Sequence, residues 1–476
     1  MSPEVDAVLA RLLPYPEDGS RADGPVAVDA TDRLMLDEAA ALIREHPDDV
    51  VVVGDRFGAL TLGAIASGAR HVRTQTDAVT AEAALTANSG RVHRTLWDAH
   101  VAASAPGSPD AAGPGYTQHD RLEPRLFEGA RVVLLQLPTS LAELTEIAEH
   151  VARYADPAVT LFAGGRVKHM THAMNDVLGA SFAQVGASLA RQKSRLLIAR
   201  EPRSAVGPLT YPVTARLTDR EIVEAIAPRP ATPPSAGGPG APADGDPATG
   251  NDGDTAPDGL TVVAHGAAFA GATLDQGTRF LLAQAHRWPD LSDVQAPRVT
   301  CTSDTSEAPA TPDRPVPGMD AHPVVVDLGC GTGILAAVLG LRYPHAHVLA
   351  SDRSRAACDS AAATLAANGV RPAGVVRDDA GTLLPIPDGS ADLVLLNPPF
   401  HDRAALSTDA AHRMFATAGR VLRDGGELWT VFNTALHYRR ALERAVGPTE
   451  HVAQNPRFTV TRSVRKLLTD MSVTGG

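Results

Sequence analysis

The stretch Val324-Val325-Val326-Asp327-Leu328-Gly329-Cys330-Gly331-Thr332-Gly333 passes from a β-branched apolar run into alternating glycines, and Ile334 to Arg342 follows with helical spacing. Strand, glycine turn and helix in that order open an α/β unit with a parallel sheet. Glycine lets the backbone approach a ligand closely, and the first N–H groups of the helix point at it. Working outward, His347 to Ala350 reads as a strand ending at Asp352, Arg355 to Ala367 as a helix closing near Asn368-Gly369, and Gly374 to Arg377 as a strand ending at Asp378-Asp379. Ala391 to Leu396 is a further buried strand, Glu427 to Phe432 a fifth, and Val452 to Gln454 with Phe458 to Ser463 a closing antiparallel pair.

Three carboxylates punctuate this series. Asp327 precedes the glycines, where it can meet the ammonium of a methionine moiety; Asp352 ends the second strand, placed for ribose hydroxyls. Asp379, or alternatively Asp378, is placed to accept from an adenine amine. Singly, each reads equally as a helix cap, and a lone G-x-G-x-G also fits a dinucleotide. Their order before Asn397-Pro398-Pro399-Phe400 favours S-adenosylmethionine on Gly329, Gly331 and Gly333.

Asn397 to Phe400 sits at a strand's carboxyl end, where open α/β sheets hold ligands. An amine conjugated to a ring or carbonyl attacks poorly. The Asn397 amide oxygen and the Pro398 carbonyl can accept its two N–H bonds and favour the positive charge developing on nitrogen. Pro398 and Pro399 stiffen the loop, and Phe400 offers a face for a stacked base. The bland reading is a simple turn. His401 follows, as a substrate contact or a residue orienting the loop. Cys330 reads as a small residue packed in the loop rather than a nucleophile.

The chain has 476 residues, enough for two or three domains, and 44% hydrophobic residues suit a globular protein. No apolar run approaches the roughly 18 residues of a membrane span, and the N-terminus lacks a secretory pattern. A cytoplasmic location without membrane association is expected. Three cysteines without C-x-x-C spacing, and histidines without metal-ligand spacing, give no metal site. A net charge of −12 argues against indiscriminate coating of nucleic acid. From Leu260 onward 20 Lys and Arg face 21 Asp and Glu, so the acid excess lies in the first half and linker. Arg457, Arg462, Arg465 and Lys466 form a candidate basic patch, or a solvated strand face.

The first half alternates strands and helices too. Val50 to Val53, His71 to Thr76, Arg131 to Gln136 and Ala158 to Ala163 read as strands, with helices at Asp37 to Glu45, Val79 to Ala87 and Leu141 to Arg153. Residues 104 to 116 read as a loop, and Phe182 to Val185 with Arg195 to Ala199 as a hairpin. Residues 229 to 258, rich in Gly, Pro, Ala and Asp, read as a flexible linker, and 296 to 320 as a disordered insertion. The expected division is therefore 1–228, 229–258 and 259–476.

Asp327 to Gly333, Asp352 with Asn368-Gly369, Asn397 to His401, Gly425 to Leu428 and Gln454 to Phe458 resemble the bacterial ribosomal RNA guanine-N2 methyltransferases. The likeness includes Leu274-Asp275-Gln276-Gly277-Thr278 and covers nearly all of the chain from Val263 on. It implies two tandem Rossmann-like class I methyltransferase domains, the first degenerate and serving RNA binding or scaffolding, the second catalytic. It further implies S-adenosyl-L-methionine as cofactor and ribosomal RNA or a ribosomal subunit as partner. The first half carries an internal echo: Ala158 to Met170 lies against Gly426 to Tyr438, and Leu134 to Ser140 against Val394 to Phe400. Leu137 and Thr139 then stand where Asn397 and Pro399 are. Rival readings are transfer to a protein glutamine amide or to a DNA adenine or cytosine amine, and a non-catalytic ribosome-assembly protein.

Overall fold

Val50 to Val53 is four valines with every side chain buried, which only a central parallel strand covered on both faces provides. In the computed structural model that strand, β1, pairs in parallel with its neighbours on both sides. Residues 2–14, 26–103, 115–204, 207–227, 258–292, 322–382, 384–399 and 404–466 are described. The first sheet continues with β2 (His71–Gln75), β3 (Gly115–His119), β4 (Val132–Gln136), β5 (Thr160–Arg166), β6 (Phe182–Ala187) and β7 (Ser194–Pro202). A short pair, β8 (Val213–Leu217) and β9 (Leu260–Ala264), comes next. The second sheet holds β10 (Val324–Leu328), β11 (His347–Asp352), β12 (Gly374–Arg377), β13 (Ala391–Leu396), β14 (Leu422–Asn433), β15 (Thr449–Gln454) and β16 (Phe458–Val464).

The strand orders are β3-β2-β1-β4-β5-β7-β6 and β12-β11-β10-β13-β14-β16-β15, one order used twice. Each sheet is parallel except at the edge carrying its hairpin. Two tandem methyltransferase-like domains are therefore the architecture. Alternate side chains of the second sheet feed two cores: Val325, Leu393, Leu395 and Val431 on one face, and Val326, Leu328, Val394 and Leu396 on the other.

Both glycine loops bend in the same way. Gly54 and Gly329 have φ of 79° and 81°, Gly58 and Gly333 of 87° and 78°, and both second members start a helix. Between them, however, Arg56 takes the place of Gly331. The cavity beside Arg56 is about 80 Å³, against about 630 Å³ beside Gly331. The first copy keeps the bend and has lost the room.

Strand register corrects the expected alignment of the echo. Val50 pairs Val132 and Val325 pairs Leu393, so with the glycine loops matched Gln136, not Leu137, is the counterpart of Asn397. Gln136 donates to Asp32 as Asn397 donates to Asp275. Helix Val79–Ala103 runs far past the expected end at Asn88, and of the expected loop 104–116 Gly115 and Tyr116 open strand β3 while 104–114 lie outside the described residues. Asn88 is no cap: its amide bonds the backbone of Leu13 and Phe57. Residues 229–257 of the expected linker and the whole 296–320 insertion lie outside the described residues. Asp258 pairs with Arg216, and Ile222, Ala225 and Ile226 pack in the second domain's core. Among the described residues no helix is long and apolar enough to cross a membrane.

Candidate active site

The cavity of about 630 Å³ opens at the carboxyl ends of β10, β11, β12 and β13, where the sheet's strand order reverses. Gly329 and Gly331 form part of its wall, with Asp352, Asp378, Asp379, Asn397, Pro398 and Pro399. Of the ten residues assigned a cofactor or amine role from sequence, seven converge on this space, and Asp378, the alternative to Asp379, joins them. Asp327 and Gly333 are placed behind that wall rather than on it, and Phe400, like His401, lies outside the described residues.

Asp352 ties the loop together. One oxygen accepts from Gly331 N at 3.0 Å and the other from Ser354 N at 2.9 Å, so the glycine loop and the start of helix Arg355–Ala367 share a carboxylate. Asp327 is 1% exposed; its Oδ2 accepts from Ala336 N at 2.8 Å while its Oδ1 is buried without a partner. Burial pushes its carboxyl up to about 7, and Asp352 moves the same way for the same cause. Asp379 receives both its bonds from the Arg413 guanidinium, at 2.9 and 3.0 Å, which holds that oxygen pair at the cavity edge. Burial raises the Cys330 thiol well above its ordinary value, as befits a packing residue.

Asn397 is oriented from behind. Its Nδ2 donates to Asp275 Oδ2 at 2.9 Å and to Thr278 Oγ1 at 3.0 Å, and Asp275 also caps its own helix by accepting from Thr278 N. Both amide hydrogens are taken, so the amide cannot turn over without losing two bonds. The carbonyl Oδ1 is left buried with no partner. An unpaired buried acceptor costs about 1–3 kcal/mol, and the residues that line the cavity include Asn397. Asp275 and Thr278, which the sequence reading quoted only as part of a resemblance, are the residues that aim it. The expected basic patch is partly spent: Arg462 pairs with Glu427 at 2.5 Å and Glu450 at 3.5 Å.

The first domain supplies part of the wall. Asp77, Ala78, Thr139, Ser140 and Glu143 line the same cavity, a contribution that residues so distant in sequence gave no sign of. Desolvation, then repulsion from Asp77 and Glu146, pushes Glu143 up to about 7 against the attraction of Arg56.

These raised carboxyls fix a pH response. A group whose folded value exceeds its unfolded one binds more protons folded than unfolded, so its contribution to stability is complete below about pH 4 and is lost as pH rises through about 7. The ligand-free protein should unfold at a lower temperature at about pH 8 than at about pH 5.5, and Asp327→Asn should narrow that gap by several degrees. Thermal scans at the two pH values decide it; an unchanged gap would mean that Asp327 is ionised at both.

Family models agree with the duplication. "RLMG N-terminal domain" matches residues 9–203 and "Methyltransferase small domain" residues 317–462. Ribosomal RNA large subunit methyltransferase G of Streptomyces coelicolor is 32% identical over 469 residues, covering 98% of this chain and 100% of that one. Its namesake from Streptomyces avermitilis is 31% identical over 460 residues, covering 96% and 97%. A solved structure, the T. thermophilus 16S rRNA N2 G1207 methyltransferase in complex with AdoMet and guanosine, shares the fold at TM-score 0.61 and 17% identity, over 96% of this chain and 99% of that one. With relatives of that identity matched along their whole length, the chain belongs to the ribosomal RNA large subunit methyltransferase G family.

Proposed function

We propose that the second domain transfers a methyl group from S-adenosyl-L-methionine to the exocyclic N2 amine of a guanine in ribosomal RNA, that of the large subunit by the name its relatives carry. The observation that carries the reading is the Asn397 carbonyl oxygen: buried, unpaired, and held by two donated bonds at the edge of a cavity lined by a nucleotide-type glycine loop. A guanine N2 amine brings two N–H donors, one for that oxygen and one for the Pro398 carbonyl. Accepting both holds the nitrogen in line for attack and lowers the cost of its positive charge, and its proton leaves afterwards without a general base.

The residues fit the cofactor, whose sulfonium methyl supplies the electrophile. Gly329 and Gly331 offer backbone on the wall, Asp352 and Asp379 carboxylate oxygens, and Asp327 and Gly333 shape the loop from behind. Phe400 is assigned the stacking role on its place after Pro399. In this reading residues 1–228 and 259–476 are the degenerate and the catalytic unit, with 213–227 packed against the latter.

The test is transfer of labelled methyl from S-adenosylmethionine to naked ribosomal RNA, separated subunits and ribosomes from cells lacking the protein, followed by nucleoside chromatography. N2-methylguanosine from large-subunit RNA is expected. Label in a protein glutamine or in DNA, with RNA unlabelled, would replace the substrate assignment.

A further inference from the structure

The helix Arg355–Ala367 leaves the Asp352 loop and begins with backbone N–H groups that its own turns cannot satisfy. Ser354, its cap, takes only one of them, accepting from Ala357 N at 3.0 Å. The two before it are taken by the other domain. Arg355 N donates to the Asp77 carbonyl at 3.0 Å, and Ala356 N donates to Asp77 Oδ1 at 2.8 Å. Val79 N returns a bond to the Arg353 carbonyl at 3.0 Å, and Ala78 bridges Ser354 antiparallel. A residue of the first domain thus completes the cap of a helix in the second.

That junction is fastened. Arg377, its side chain 7% exposed, donates to the carbonyls of Thr76 and Asp77 at 3.1 and 3.2 Å and pairs with Glu82 at 2.7 Å. Across the cavity, buried Glu146 accepts from His265 and Gly266 N, both at 2.7 Å, and Ser140 Oγ donates to the Gly266 carbonyl. The first domain therefore grips the cavity on two sides, at the Asp352 loop and at the segment leading to Asp275.

We propose that the first domain is a working part of the second domain's cofactor site, with Asp77 as a positioning residue that fixes the ribose-binding Asp352–Ser354 loop across the domain boundary. This rests on the cofactor reading given above. A domain whose own loop has lost its cavity is kept in place because the remaining site is incomplete without it. Asp77 accepts one of these bonds on its backbone carbonyl, which a substitution leaves, and the other on a side-chain oxygen, so a side chain that keeps an oxygen there keeps the function.

Calorimetric titration of the full chain with S-adenosylmethionine tests it. Asp77→Ala should weaken binding about 5- to 30-fold, the scale of a lost cap, and Asp77→Asn, which still presents an acceptor oxygen, should recover to within about threefold of wild type. In methyl transfer, the Asp77→Ala loss should fall on KM for S-adenosylmethionine and leave kcat and KM for RNA unchanged. Unaltered affinity in Asp77→Ala, or equal loss in both variants, overturns the proposal. Should Asp77→Ala not fold, hydrogen exchange on the wild type decides: cofactor is expected to slow exchange in residues 76–82, and no change there overturns it. A wild-type protein that binds no S-adenosylmethionine would refute the cofactor reading itself.

Discussion

Asn397→Ala is expected to lower kcat for methyl transfer by about 10²- to 10³-fold while changing S-adenosylmethionine affinity less than threefold, the scale seen when one preorganised group that meets transition-state charge is removed. The separation follows from where the side chain's bonds go. Its Nδ2 holds Asp275 and Thr278, but Asp275 keeps its bond from Thr278 N when Asn397 is cut back, so the helix cap survives. Gly329, Gly331 and Asp352 are bound to other partners and stay in place. What is lost is the Asn397 carbonyl oxygen, an acceptor left unpaired in the protein alone. An interaction made only as the amine becomes cationic lowers kcat without affecting cofactor binding. Single-turnover kinetics with saturating cofactor, beside calorimetric titration, separates the two. Full activity in Asn397→Ala would remove Asn397 from the chemistry.

The elements around the glycine loop are legible because each carries its own local signal. Ile334 to Arg342, Arg355 to Ala367, Gly374 to Arg377 and Ala391 to Leu396 begin and end where their apolar spacing, cap residues and flanking Gly or Asp place them. Elements whose boundaries depend on distant partners are not. Asn88 has the composition of a helix end, yet tertiary bonds to Leu13 and Phe57 outweigh that preference inside a continuous helix. Gly115 to His119 carries no apolar run, since it is an edge strand with half-exposed side chains. The site divides the same way. Glycines and carboxylates at strand ends follow from the order of elements, whereas Asp77, Ser140 and Glu143 reach the cavity only through the docking of two domains. Asp275 and Thr278 did leave a trace: an acidic residue three before a threonine at a helix start is a cap spacing, and the capping oxygen, Asp275 Oδ2, is the same one that anchors Asn397.

Gly333→Ala is the second large effect, and it acts on the cofactor rather than the amine. Gly333 has φ of 78°, and a Cβ there would lie 2.7 Å from Ala361 Cα and 2.9 Å from Ala361 Cβ. The backbone strain alone costs about 1–2 kcal/mol. The clash is worse, because the obstacle is the backbone of helix Arg355–Ala367, which cannot turn aside as a side chain can. Relief requires that helix and the glycine loop to part, yet the Asp352 carboxylate joins them through Gly331 N and Ser354 N. Separation breaks that joint and moves the cavity wall. S-adenosylmethionine binding should weaken by more than about tenfold, and the melting temperature should drop by several degrees. Gly389→Ala is the matched control: φ there is 69°, so the strain is alike, but a Cβ meets nothing within 4 Å and the turn lies away from the cavity. Gly389→Ala should lose stability and keep its cofactor affinity. If both variants bind S-adenosylmethionine equally well, close packing of the loop against helix Arg355–Ala367 is not what shapes the cofactor site.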